Sequence, residues 1–300
     1  MMKLDPRAMQ VFLAVCRAGS ISGAARDLNL SQPSVSVAVA QLERALGTIL
    51  FERKRTGIIL SAAGIALERR AEAIDSLIAG ARREIDLLAV NVAGPLTIGG
   101  TPGALATLVP GAVAAFRQAV PHFQLRILER PDAELHAMLR ARRIDLAVVT
   151  VGLEGAPDDL SEVAVAQDPF DLIVGQANDA LPATVSLHDL TGLPWVLPDA
   201  VGAFRRQIDA LFVAAQVPTP LNVIRCDSLL TTKAIVQHSD YVTILPRAVA
   251  AAELSVGVLR AARIREAAFL RQVGVLSLRD AALSPAAEAF LAHATRAPNP

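Results

Sequence analysis

Two stretches of the chain place side chains at spacings suited to chemistry on nucleic acid. In Ser31-Gln32-Pro33-Ser34-Val35-Ser36-Val37-Ala38-Val39-Ala40-Gln41-Leu42-Glu43, the residues Val35, Val39, Leu42 and Leu46 recur at helical spacing and would face inward. Ser31 suits the N-cap, and Pro33 is tolerated because first-turn amides have no acceptor inside the helix. Gln32, Pro33, Ser36, Val37 and Gln41 then share the outer face, with Ser34 in the first turn. A helix that opens with small hydroxyl and amide side chains can enter a major groove, where Gln reads adenine edges and apolar groups meet thymine methyls. Arg53, Lys54 and Arg55, followed by Thr56-Gly57, make a basic turn whose charges would meet phosphates. The formal net charge of +0 hides this asymmetry. The first 64 or so residues carry roughly +4, so the remainder carries roughly −4. A basic head on an acidic body fits a nucleic-acid module joined to something that does not bind nucleic acid.

Chemistry of other kinds finds little support. The chain has no Gly-rich phosphate loop, no GxSxG nucleophile elbow and no clustered Cys/His spacing, so neither an enzyme nor a bound cofactor or metal is expected. The five histidines, His122, His136, His188, His238 and His293, are scattered. The two cysteines, Cys16 and Cys226, fall in segments that belong to different domains, which leaves them as reduced cytosolic thiols. Asp227 follows Cys226 where a basic neighbour would be needed to stabilise a thiolate. A cysteine-based redox response therefore stands only as an alternative reading, as does a regulator that answers to no ligand. No charge occurs over residues 87–116, but its prolines and glycines interrupt it too often for a membrane span. Nothing near the amino terminus reads as a secretory signal, so a cytoplasmic location is expected.

These residues need elements to hold them. A chain of 300 residues with 53% hydrophobic and 19% charged residues should fold into at least two domains. Residues 4–60 read as short helices, with apolar faces at Val11, Phe12 and Val15 and at Ile21, Ala24, Ala25 and Leu28. Small alanines allow close helix approach, and Asn29 tolerates the left-handed conformation that ends the second helix. Ser61 can cap a long helix over 61–90. Within it Leu67, Ala71, Ile74, Ile78, Ala81, Ile85 and Leu88 follow an alternating 4, 3 spacing, a heptad seam that suits self-association. The other reading is that this helix lies on its own domain. From residue 94 strands at 96–98, 124–129 and 145–150 alternate with helices at 105–120 and 132–141, which implies a parallel sheet with right-handed crossovers. A second series, with strands at 170–175, 195–197, 221–226 and 241–245, suggests a second lobe. A late strand at 271–278 and a helix opened by Ser284-Pro285 close the chain.

The stretch from Phe12 to Gly64, including AARDLNLSQPSVSVAVAQLERALG, LFERKRTG and LSAAG, resembles the N-terminal domain of LysR-type transcriptional regulators. GPLTIGGTPGALATLVPGAVAAFRQAVPHFQLRI followed by IDLAVV is similar to the same family's effector domain, itself like type 2 periplasmic binding proteins. The resemblance implies an α/β fold class with an all-α-rich N-terminal winged helix-turn-helix over 1–64, a long linker and dimerisation helix over 61–90, and a two-lobed α/β effector-binding domain over 91–300. Its chain would cross between lobes near residues 163 and 266. The implied partners are double-stranded DNA, a small-molecule effector, a second copy of the chain in a homodimer or dimer of dimers, and RNA polymerase, with no membrane. Val37 and Ala38 depart from the family's usual long polar or basic residues, so specificity is expected to lean on apolar and shape readout. Loops after parallel strands offer ligand contacts at the sheet's carboxyl edge. That rule selects Thr101, Pro102 and Thr150 from one lobe and Pro198, Asp199, Ser228 and Thr243 from the other, with Thr101 and Ser228 bridged by one ligand. Basic residues are few at these strand ends, which leaves a carboxylate to helix N-termini and hydroxyls and keeps a neutral polyol or sugar open as the alternative. Tyr241 stands where many relatives have a Gly-x-Gly and would narrow the cleft.

Overall fold

The computed structural model describes residues 5–54, 57–152, 155–199, 202–267 and 271–295. The chain forms two compact units, Met1–Asn91 with Ala137–Arg143, and Val92–His136 with Ile144–Pro300.

The first unit opens with helices α1 (Pro6–Ala18), α2 (Ile21–Asp27) and α3 (Gln32–Leu46). Each start is capped by a short polar side chain: Asp5, Ser20 and Ser31 accept from the backbone amides of Arg7, Gly23 and Ser34. The link from α2 to α3 turns at Asn29, whose φ of 53° is left-handed, while the amide of Leu30 donates back to the Ala25 carbonyl. Val11, Val15, Ala24, Ala25, Val35 and Val39 form the core between the three helices. An antiparallel hairpin follows, β1 (Phe51–Lys54) with β2 (Gly57–Leu60), and then α4 (Ala62–Leu88), capped by Ser61 as expected. Gly64 is required here, because a Cβ at this position would lie 2.2 Å from the Leu50 carbonyl oxygen.

After the first unit's continuous stretch the chain runs through β3 (Ala93–Gly100), α5 (Pro102–Ala119), β4 (Phe123–Glu129), α6 (Asp132–Arg140, which groups with the first unit from Ala137 on), β5 (Leu146–Val151) and β6 (Leu160–Asp168). The chain then enters a second lobe: β7 (Phe170–Val174), β8 (Thr184–Val185), β9 (Trp195–Leu197), α7 (Ala203–Ala214), β10 (Val223–Arg225), α8 (Leu229–His238), β11 (Val242–Pro246), α9 (Ala251–Ser255) and β12 (Arg260–Ile264). It returns through β13 (Arg271–Leu278) and ends on α10 (Pro285–Ala294), capped by Ser284. Lobe I has strand order β4-β3-β5-β13-β6 and lobe II β10-β9-β11-β7-β12-β8. Leu96, Ile98, Phe116 and Phe290 anchor the first core, and Phe170, Trp195, Ile208 and Ile244 the second.

Two expectations need correcting. The sheets are parallel only in part: β3, β4 and β5 run parallel, as do β9, β10 and β11, but β13 is antiparallel to β5 and β6, and β7 to β11 and β12. A parallel pair needs a crossover, usually helical, whereas β7 and β13 each enter straight from the other lobe. The first lobe crossing is at Pro169, not near residue 163, because β6 extends to Asp168 before β7 starts at Phe170. The sequence hid β6 behind exposed residues such as Val163. The chain leaves lobe II after β12 ends at Ile264 and re-enters lobe I with β13 at Arg271. Among the described residues no single helix is long and apolar enough to cross a membrane; α1 and α2 pass that test only as a pair bent by 116°.

Candidate DNA interface and effector cavity

Val35, Val39 and Leu42 of α3 are buried, which turns Ser31, Gln32, Pro33, Ser34, Ser36, Val37 and Gln41 outward. Val37 is 52% exposed although Val35 and Val39, two positions to either side, are core residues. An apolar side chain held in water on a helix face is available for contact. The Ser31 and Ser34 hydroxyls lie 2.7 Å apart, so they also satisfy each other. Glu43, the acid on this helix, points its charge elsewhere: its Oε1 accepts from the amides of Leu50 and Phe51 at 2.8 and 3.3 Å. That bond fixes the hairpin to the helix and removes an anion from the outer face. Arg44, exposed at the far end of α3, adds a cation that the sequence reading did not select. The hairpin register pairs Lys54 with Gly57. Arg55 and the side chains of Arg53 and Lys54 lie outside the described residues.

The seam of α4 divides into two parts. Ala71 is buried against Met9, Phe12 and Leu13, with Leu67 and Ile74 packed on the same cluster. These residues belong to the head's own core. Further along, Ile78 is 45%, Ile85 67% and Leu88 63% exposed, and Ala81 is exposed as well. Cys16, beside this core, has its thiol pushed up to about 12 by burial and by the neighbouring Glu68 charge.

In the second unit a cavity of about 330 Å³ opens between the lobes. Thr101, Pro102 and Thr150 line it from lobe I, and Pro198 and Thr243 from lobe II. Asp199 and Ser228 are not among its lining residues. The Ser228 hydroxyl is used locally, accepting from the amide and hydroxyl of Thr231, and the Asp199 amide donates to Asp227. The expected Thr101 and Ser228 bridge therefore has no common cavity. Tyr241 does not narrow the space; it packs against the cluster around Val236 and Leu245.

A second correction concerns charge. Arg271, the first residue of β13, lines the cavity and is 1% exposed. Its Nε donates to Thr150 Oγ1 at 3.0 Å and its Nη1 to Thr107 Oγ1 at 3.4 Å. Asp168 Oδ2 is 3.8 Å from Nη1, close enough for charge attraction and too far for a hydrogen bond. Burial lowers the guanidinium to about 10, opposed by the charges of Asp168 and Asp132. The group stays cationic at neutral pH. Asp168 accepts from Thr107 Oγ1 at 2.8 Å and, across the lobes, from the Ala248 amide at 3.2 Å. Asp132 crosses the other way, accepting from the amide of Ala203 at the start of α7 at 3.1 Å. Sequence reasoning missed Arg271, and the available signal was a lone arginine heading an otherwise apolar strand.

Residues 6–65 match the family described as bacterial regulatory helix-turn-helix protein, lysR family, and residues 90–298 match the LysR substrate binding domain. The transcriptional regulator TdcA of Escherichia coli (strain K12) is 27% identical over 236 residues, 79% of this chain and 75% of that protein. CbbR of Rhodospirillum rubrum is 28% identical over 287 residues, 95% of this chain and 94% of that one. The fold is shared with full-length CbnR complexed with its target DNA, at a TM-score of 0.72 and 23% identity over 98% of this chain and 100% of that chain.

Proposed function

Since the chain belongs to the LysR family and is a DNA-binding transcription regulator with an effector domain, not an enzyme, we propose that a small metabolite bound between the lobes of its second unit controls how it holds DNA. The observation that carries this reading is the 330 Å³ cavity itself, which draws Thr101 and Thr150 from one lobe and Pro198 and Thr243 from the other. A ligand touching both lobes favours whichever arrangement it fits better, by the difference in its affinities.

The rest of the proposal concerns DNA and assembly. The outward face of α3 enters the major groove with Gln32, Ser36, Val37 and Gln41 at the bases, while Arg53, Lys54 and Arg55 meet phosphates. CbnR bound to its target DNA supports this placement through its shared fold. The exposed part of α4, from Ile78 to Leu88, pairs with a second copy, so that two heads engage two half-sites. RNA polymerase is the partner through which a bound regulator of this kind would act. A thiol switch has less support, since Cys16 is held far from thiolate formation.

The test is to select genomic fragments retained by the full chain and re-measure their retention in the presence of a metabolite library. A compound that changes retention should also raise the melting temperature of the wild type, and Thr101→Val should lose that protection. A library in which no compound moves either quantity refutes the effector reading.

A further inference from the structure

We propose that the cavity between the lobes selects a carboxylate with an apolar body, and that Arg271 is the residue that reads its charge. This inference rests on the effector reading above and adds the chemical class of the ligand.

A guanidinium carries five N–H donors and no acceptor, and burying it is tolerated only when acceptors are supplied. Arg271 has two hydroxyl acceptors, one of them at the long distance of 3.4 Å. Among the described residues none accepts from Nη2. The carboxylate of Asp168 does not fill that need, because it stands 3.8 Å off Nη1 and is already bonded to Thr107 and the Ala248 amide. Asp132, the other carboxylate acting on Arg271, gives its Oδ2 to the Ala203 amide. A buried cation with a free donor pair facing a cavity lacks one planar acceptor, and a carboxylate supplies it.

The start of α5 supports the same ligand group from a second direction. Thr101 occupies the N-cap, yet its side chain makes no cap hydrogen bond, and Pro102 has no N–H to offer. Among the described residues no group accepts from the amides of Gly103 and Ala104, which leaves them open at the positive end of an 18-residue helix. Gly103 lies directly beside the arginine: a Cβ there would be 3.4 Å from Nη2. The absent side chain leaves Nη2 approachable from the helix end. Thr101, Gly103 and Arg271 therefore share one wall of the cavity, with Gly103 next to Nη2. The remaining walls mix Val196, Leu197, Phe204, Leu229 and Leu245, which suit a hydrocarbon body, with charged residues, of which Arg130 and Arg205 are already engaged by Glu134 and Asp209.

The location gives the charge a consequence. Arg271 starts the strand that returns from lobe II, and it stands opposite Asp168, the last residue of β6 before the chain leaves lobe I. An anion on Arg271 acts at both lobe crossings at once.

The experiment uses the full chain and three probe pairs: butyrate, hexanoate and cyclohexanecarboxylate, each beside its primary amide, followed by calorimetric titration at fixed ionic strength. Binding of at least one carboxylate, with its amide weaker by about tenfold or more, is the expected result, as for loss of a hydrogen bond to a charged group. Arg271→Gln should bring the carboxylate down to the level of the amide. If that variant fails to fold, Gly103→Ala serves instead. Its methyl group meets Nη2 at ordinary contact distance, so the melting temperature should hold while carboxylate affinity falls about tenfold. Equal binding of acids and amides, absence of binding by all three acids, or full carboxylate affinity in the variant overturns the inference. A neutral compound that alters DNA retention and is unaffected by Arg271→Gln overturns it while leaving the effector reading intact.

Discussion

Ile78→Glu separates the two roles that the long helix α4 combines. Ile78 is 45% exposed, and the more distal Ile85 and Leu88 are 67% and 63% exposed, so a carboxylate at 78 should leave the fold of a single chain unharmed. In a paired assembly the same side chain would sit between two helices without a cation to meet it. Leaving a charge buried and unpaired costs about 3–5 kcal/mol, and a symmetric dimer bears it twice, so the dissociation constant should rise by at least about 10⁴-fold. Ala71→Glu is the contrasting control. Ala71 is 1% exposed in the core formed with Phe12 and Leu13, so that change should unfold the head instead of separating copies. Sedimentation equilibrium reads the first effect and circular dichroism the second. Ile78→Glu should be monomeric at micromolar concentration, with native helix content and greatly weakened operator binding. A variant that remains dimeric and binds its operator normally would refute the pairing of α4.

The other expected outcomes follow from single contacts. Gln32→Ala should relax preference at one base position without changing the salt dependence of binding, whereas Arg53→Ala should weaken all sequences and lower the salt slope by about 0.9; gel shifts on cognate and random DNA distinguish the two. Gly64→Ala forces a methyl against the Leu50 carbonyl, so α4 must shift at a cost of about 1–3 kcal/mol, read as a lower melting temperature of the head. Burial works against the charge of Glu266, but bonds from the Ser186 hydroxyl and the Leu187 amide prevail and hold its pKa below the ordinary value. A depressed carboxylate contributes stability above its unfolded pKa of about 4.3 and loses it as pH falls through the folded value. The stability gap between wild type and Glu266→Gln should therefore be open at pH 7 and close in that acid range, as urea titrations at several pH values would show.

What could be read from the sequence was mostly local. Ser31, Ser61 and Ser284 announced helix starts because an N-cap bonds an amide only a few residues away. Asn29 announced a left-handed turn for a similarly local reason. The α4 seam shows where locality ends. Its spacing identified an apolar stripe but carried no information about what covers each part, and the structure gives Ala71 to the head's core while leaving Ile85 exposed. At the cavity, strand-end logic selected Thr101 and Thr150, which line it, but overlooked Arg271, which also lines it, and selected Ser228, whose hydroxyl turns back on its own helix. Both misses concern side-chain direction and inter-lobe packing, which no spacing rule encodes.

The same inter-lobe contacts bound how strongly a ligand can act. The polar ties across the lobes include the Ala203 amide on Asp132 and the Ala248 amide on Asp168, each a bond to a charged carboxylate. Such bonds contribute about 1.5–3 kcal/mol apiece, so an effector that replaces or reinforces one of them commands a change of the same order. Moving an equilibrium from mostly one arrangement to mostly the other takes about 5.5 kcal/mol of differential binding. One new hydrogen bond falls well short of that, and contacts made wholly within lobe I, such as those at Arg271 and the start of α5, add affinity without adding differential binding. On energetic grounds, then, a ligand anchored at Arg271 would shift the lobes only through the further contacts it makes to lobe II, such as Pro198 and Thr243, or through the inter-lobe ties at Asp132 and Asp168 that it disturbs.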